Sequence, residues 1–326
     1  MNITRTVSLF LTLSLAAVEP AVSQNREQPW PLGAHDLFRL LRKMPARPAT
    51  PSAGKDTANN AVALGLAKTK VYQFASADFP AASESEVSDR NLSTVVGSFA
   101  YTSGSIAFTL KNGTYKILTV PGSVDAGISG INTGGEMVGA YTDGSNHIHG
   151  FLDNAGTFTT IDYPGALYTL AYDINDSGLI VGYYTDAKHV QHGFLDKAGV
   201  LTSIDYSGAS GTAALGINSA GDTVGLWLDA ADNPHGFLLS GGTFTDLDFP
   251  GAASTVASGI NDVGQIAGTY FDSSGASHGF IYANPTWSQV DVPHASQTVL
   301  NQIKNNHSVV GAYVDSMTET HGLTGH

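Results

Sequence analysis

Five histidines stand 43 residues apart, His149, His192, His235, His278 and His321, and each follows an aspartate by six positions: Asp143, Asp186, Asp229, Asp272 and Asp315. Imidazole beside carboxylate is the raw material of general acid–base catalysis and of metal ligation. The spacing argues against both. One pair per interval distributes the groups evenly along the chain, so they cannot converge on one ion. The expectation is structural: each histidine hydrogen-bonds the aspartate of the preceding loop and ties a hairpin, because buried polar groups need partners. In the first copy the equivalent positions are Tyr101 or Ala100 and Ile106, so both members are lost together, as a coupled pair would be.

Other chemistry-bearing patterns are missing from the sequence. It contains no G-x-S-x-G, no H-E-x-x-H, no EF-hand loop and no phosphate-cradling glycine loop. No metal site and no cofactor is expected. Aspartate-rich loops could at most hold Ca²⁺ weakly, since no D-x-D-x-D run exists. With no cysteine, nothing can be stapled by disulfides.

The elements that carry the His–Asp pairs repeat with the same period. In residues 169–206, alternating or β-branched runs at 169–174, 179–185, 191–195 and 200–206 are separated by turns rich in Asn, Asp, Ser and Gly. These predict four strands, a to d. A period in the forties without 3.6-periodic runs indicates four-stranded sheets rather than helical pairs. Strand d also occurs by itself at 71–80, before any other element, and the final copy ends without one. The orphan at the front matches the vacancy at the back. The fold expected is therefore an all-β, six-bladed β-propeller over residues 71–326, closed by the N-terminal strand so that no sheet edge stays unpaired. Glycines such as Gly182 in strand b and Gly178 in the a–b turn are ascribed to close packing and positive φ. The D-Y/F-P-G endings at 162–165 and 248–251 read as turns between blades.

The string I-N-x-x-G-x-I-V-G-x-Y, followed by H-G-F-L and F-T-x-I-D-Y-P-G, resembles the bacterial extracellular repeats of the HAF family. The resemblance spans about 126–321, with Gly in place of the middle Ala at Gly150, Gly193, Gly236, Gly279 and Gly322, and Ile106-Ala107-Phe108 in the first copy. It implies export and a propeller-like fold. It implies no catalytic activity and no ligand.

A specific site should lie where the copies disagree. Strand a is the innermost strand of a blade. Its fifth residue is Gly130, Asp173, Gly216, Gly259 and Gln302 in successive copies, and the largest departures fall in the first and last, which closure would make neighbours. The candidate ligand-binding patch is Glu86, Asp89, Arg90, Asn301, Gln302, Lys304 and His307, with Asp173 on the channel wall. Arg90 is the only arginine of residues 71–326.

Residues 1–23 have a cationic start at Arg5, an apolar run at 7–17 and small residues at Ala21 and Ser23, the pattern of a secretory signal peptide. Residues 24–70 form a Pro/Ala-rich basic linker, eight Lys and Arg against three acids, in which Leu37, Leu40, Leu41 and Met44 mark a short amphipathic helix. Residues 71–326 hold six basic against 24 acidic residues, a net charge of −18 within the whole-chain −13. That sign repels phosphate and excludes nucleic acid as a partner. No later stretch reaches transmembrane length. The expected function is a secreted, extracellular or periplasmic, non-catalytic binding module for a glycan or cell-surface component. Tyr183, Tyr184, Trp227, Tyr270, Phe271 and Tyr313 would be available to stack on sugars. The alternative is a hydrolase or lyase with its site in the central channel.

Overall fold

The alternating segments pair with their sequence neighbours because short Asn/Asp/Gly turns leave no other reach. The result is six antiparallel four-stranded sheets in a ring, a six-bladed β-propeller. The computed structural model describes residues 72–79, 84–101 and 104–326. The expected signal peptide, linker and amphipathic helix lie outside the described residues, and among the described residues no helix is long and apolar enough to cross a membrane. Blade 3 is representative, with strands Tyr168–Ile174, Leu179–Thr185, Gln191–Lys197 and Val200–Ile204. Strand d stops two residues earlier than the sequence suggests. Asp205 and Tyr206 leave the sheet to bond His192 and the Thr212 hydroxyl instead.

Closure follows the expected bookkeeping. Phe74–Ser76 pairs antiparallel with Thr320–Gly325, so the chain's first described strand completes the sheet that holds its last. Gln73 and His326 add two backbone hydrogen bonds, 3.1 and 3.2 Å. Blades 1 and 6 therefore meet, and Phe79 stacks on Phe99 of blade 1 with centroids 3.7 Å apart.

The H-G-F triplet has a packing reason. Its phenylalanine, for example Phe194, is wholly buried between blades and contributes about 2–3 kcal/mol of apolar burial. The ring lies against the backbone of Gly182 in strand b, where an added Cβ would come within 2.8 Å of it and would also strike the Leu170 carbonyl. Glycine at that position admits both neighbours.

The inner strands, Glu84–Arg90, Ser123–Ile131, Tyr168–Ile174, Gly211–Ile217, Ser254–Ile260 and Gln297–Ile303, share one irregularity. Each carries a β-bulge just before its end, between Ala171 and Asp173 in blade 3 and at the equivalent place in the other five. A bulge bends the strand and re-aims its side chains. Here it turns the residue that differs among copies toward the axis.

Candidate functional site

The post-bulge residues are Asp89, Gly130, Asp173, Gly216, Gly259 and Gln302, one per blade. Where glycine stands, the next blade comes close: a Cβ on Gly259 would lie 2.7 Å from Gln302 Cα, and one on Gly130 would lie 2.9 Å from Asp173 Cα. The three side chains that remain fill the hub. Gln302 Nε2 donates to Asp173 Oδ2 at 3.0 Å across 129 residues of sequence, three repeats, and so joins opposite blades through the axis. This bond is the floor of a cavity of about 340 Å³ that opens on the face of the a–b turns. Beneath it a cluster including Leu170, Tyr172, Leu215 and Val256 is packed solid.

Asp89 and Asp173 are held alike. Asp89 accepts the Arg90 N–H at 2.6 Å and, from the next blade, the Ile131 N–H at 2.9 Å. Asp173 accepts the Ile174 and Ile217 N–H groups at 2.8 and 2.9 Å. Both are buried, with 1% and 3% of their surface exposed. They differ in charge partner. Lys304 Nζ lies 2.6 Å from Asp89 Oδ1, whereas no cation pairs directly with Asp173 among the described residues. Burial pushes the Asp89 carboxyl up, against the pull of Lys304. Burial, and then the neighbouring Asp89 charge, push Asp173 up to about 7.

The wall above the floor comes from the I-N-x-x-G turns. The Asn side chains link turn to turn around the ring: Asn91 donates to the Asn132 carbonyl (3.1 Å), Asn132 to that of Asn175 (3.3 Å), Asn175 to that of Asn218 (2.9 Å), and Asn261 to that of Lys304 (3.3 Å). Blade 6 has Lys304 where the others have Asn, and its longer side chain reaches down to Asp89 instead. Asp176 and Asp262 accept the Thr133 and Ser219 N–H groups across blade boundaries. Leu92, 86% exposed, sits at the rim.

Of the eight candidate residues, Arg90, Asp173, Gln302 and Lys304 line this cup, and Asp89 lies directly behind Lys304. Glu86 and Asn301 do meet, with Asn301 Nδ2 donating to Glu86 Oε1 at 2.9 Å, but they are buried in the seam between blades 6 and 1 and do not line the cup. His307 faces away from it and pairs through Nδ1 with Gln265 Oε1 at 2.7 Å. Its φ of 62° is the left-handed conformation that Gly178 supplies in blade 3. The sequence reading did not foresee the Asn ring, Asp176, Asp262 or Leu92. The Asn that recurs at this turn position in five of the six blades was a usable signal, because a side chain repeated from blade to blade must bond something that neighbouring blades offer.

The repeated His–Asp pairs lie at the opposite face, and their partnership requires correction. The close partner of each histidine is not the loop aspartate but the one that ends strand d. Nδ1 of His149, His192, His235 and His278 lies 2.6–2.9 Å from Asp162, Asp205, Asp248 and Asp291, and His321 lies 3.0 Å from Asp78. The loop aspartates Asp143, Asp186, Asp229, Asp272 and Asp315 face Nε2 at 3.5–3.7 Å, too long for a hydrogen bond. Their other oxygen accepts two N–H groups of the loop itself, as Asp143 does from Ser145 and His147. The loop fold, rather than the histidine, claims the aspartate. The D-Y/F-P-G motif thus does more than turn the chain, and Asp78 in Asp-Phe-Pro is its copy in the closing strand.

Each imidazole also stacks on a strand b ring, as His235 does on Trp227 at 4.5 Å, and three of those rings, Tyr184, Trp227 and Tyr270, stack on interblade aromatics, as Tyr184 does on Tyr163 at 3.6 Å. Tyr184 and Tyr270 are consequently buried, Tyr183 and Phe271 are buried in the cluster with Leu170 and Tyr172, and Trp227 and Tyr313 are half-buried, so they do not form the open stacking platforms expected from sequence. At blade 6, Glu319 joins Asp315 and His321, and one ligand atom from each lies within 4.8 Å of the others, a donor set that could hold a metal ion.

The hydrogen bond to Asp291 raises the His278 pKa against the opposing effect of burial. Its stabilisation is therefore fully present below about pH 6.5 and fades as pH rises through the higher folded value. His235→Ala removes the Asp248 bond and the Trp227 stack together, and should cost about 1–2 kcal/mol by urea denaturation. An unchanged midpoint would show that the belt contributes nothing.

No family model and no curated protein matches the chain. Among solved structures it is similar to a lectin of Aleuria aurantia in complex with α-methyl-L-fucoside, at TM-score 0.47 and 12% identity over 74% of this chain and 89% of that one. It is similar also to virginiamycin B lyase from Staphylococcus aureus, at TM-score 0.44 and 10% identity over 78% and 99%. A third is the β-propeller domain of the Trilobed protease from Pyrococcus furiosus, at TM-score 0.46 and 8% identity over 74% and 95%.

Proposed function

We propose that the protein is a secreted, non-catalytic binding module that takes a carbohydrate in the cup at the hub. The observation that carries this is the cup's asymmetry: a pocket at the place where the repeats stop being alike, bounded largely by amides and carboxylates. Vicinal sugar hydroxyls donate and accept at once, and paired amide and carboxylate groups answer both needs. The exposed Leu92 and the Ile174 and Ile217 side chains offer apolar contact for the C–H face of a ring. Export rests on the Arg5 and 7–17 pattern of the sequence. The burial of the strand b aromatics favours this single site over repeated shallow ones.

A hydrolase or lyase draws support from one observation, the Asp173 carboxyl held up to about 7, a range suited to a general acid. A glycan array run with and without EDTA, beside a broad hydrolase screen, tests both. The expected result is EDTA-insensitive binding that Arg90→Ala and Asp176→Asn each weaken about tenfold or more, without turnover. Binding untouched by both substitutions would remove the cup from consideration, and turnover lost in Asp173→Asn would transfer the protein to the enzymes.

A further inference from the structure

We infer that the sugar recognised is an amino sugar with a free, protonated amine, its ammonium seated over Asp173. This rests on the carbohydrate proposal above and narrows it. Asp89 and Asp173 occupy equivalent post-bulge positions, and each takes its own following N–H and one from the next blade. Asp89 additionally has a cation, Lys304 Nζ at 2.6 Å. Asp173 has in that place only a neutral donor, Gln302 Nε2 at 3.0 Å. When ionised, a carboxylate that is 3% exposed and lacks a cation has lost its hydration without a compensating charge, which a cationic ligand supplies and a neutral one does not.

The wall repeats the same sign. Lys304 is occupied by Asp89, so three carboxylates, Asp173, Asp176 and Asp262, face the cup against the single guanidinium of Arg90. The charges are also segregated. Arg90 stands at the seam of blades 6 and 1, within 3.3 Å of His326 Nε2, while the carboxylates belong to blades 3 and 5. Uronic and other acidic sugars would meet three like charges. An N-acetylated amine brings no charge to the floor, and a hydroxyl in the same place brings none either. Only the free amine gains the unspent attraction.

Calorimetric titration at neutral pH and physiological salt tests this with β-1,4-linked tetramers of glucosamine, N-acetylglucosamine and glucose, and with ethanolamine as an ammonium that carries no sugar. The glucosamine tetramer should bind at least about tenfold tighter than the other two. In Asp173→Asn that preference should fall to within about twofold. A polycation drawn merely to an acidic ring would keep its preference in Asp173→Asn, and that result would overturn the inference. Equal binding of all three tetramers would overturn it too, while leaving the carbohydrate proposal in place. If ethanolamine binds through Asp173 and no tetramer does, the ammonium seat stands and the carbohydrate proposal falls. Failure of every probe to bind overturns both.

Discussion

A variant lacking residues 1–83 should fail to fold as a stable monomer, whereas one lacking residues 1–71, which keeps the closing strand, should unfold cooperatively. The difference between them is the Phe74–Ser76 pairing with Thr320–Gly325, the Asp78 bond to His321, and the packing of Ala77 and Phe79 between blades 6 and 1. Loss of these exposes the row of N–H and C=O groups along Thr320–Gly325 as a template for another chain. Buried Leu323 and the Phe99 ring would also meet water. Against a typical net stability of about 5–15 kcal/mol, a loss on the order of 5 kcal/mol or more is decisive. Size-exclusion chromatography and thermal unfolding read the outcome. Two monomers with melting temperatures within a few degrees would mean that the ring does not depend on its closing strand.

The second large effect is a dependence on pH. Asp173 has a folded pKa raised to about 7, so between its unfolded value and 7 the folded state binds more protons than the unfolded state. The sign is the reverse of that for a salt-bridged carboxylate: this group's contribution to stability declines as pH rises from about 4 toward 7, by up to about 4 kcal/mol once ionisation is complete. Coupling to Asp89 and Lys304 spreads the change over the pair, and some of it reappears as a shift of Asp89. Asp173→Asn removes the ionisation but keeps only one of the two oxygens, Oδ1 and Oδ2, that accept the Ile174 and Ile217 N–H groups, so it carries a cost that does not vary with pH. The wild type should therefore lose stability relative to Asp173→Asn between pH 5 and pH 8, by about 1–4 kcal/mol. Taking the difference between the two proteins cancels the histidines, which titrate in both. A difference that does not vary with pH would mean that Asp173 is not protonated in the folded ring.

How far the sequence disclosed this can be followed residue by residue. The His149-to-His321 period and the duplicated strand d were sufficient for blade number and closure, because both depend only on counting. The Asp89, Asp173, Gln302 and Lys304 cluster was anticipated as an exception to the repeat, and blade adjacency explains why residues about 215 apart, such as Asp89 and Lys304, pair. What was not visible was direction. A bulge adds one residue to the strand and reverses which side chains face the axis, and nothing in L-A-Y-D-I announces it. For that reason Glu86 and Asn301 were grouped with the cup although they lie in the seam. The histidine's partner was misjudged on similar grounds. Six residues of sequence place Asp143 near His149, but a strand pairing brings Asp162 from 13 residues away to a shorter distance. Likewise, nothing in the sequence marks Tyr184, Trp227 and Tyr270 as covered, and it is the aromatic of the link from the preceding blade, laid over each, that takes them out of water.

The Gln302–Asp173 bond bolts the hub of the wheel. A polymer cannot thread through an axle that is pinned, so whatever enters the cup leaves by the same door.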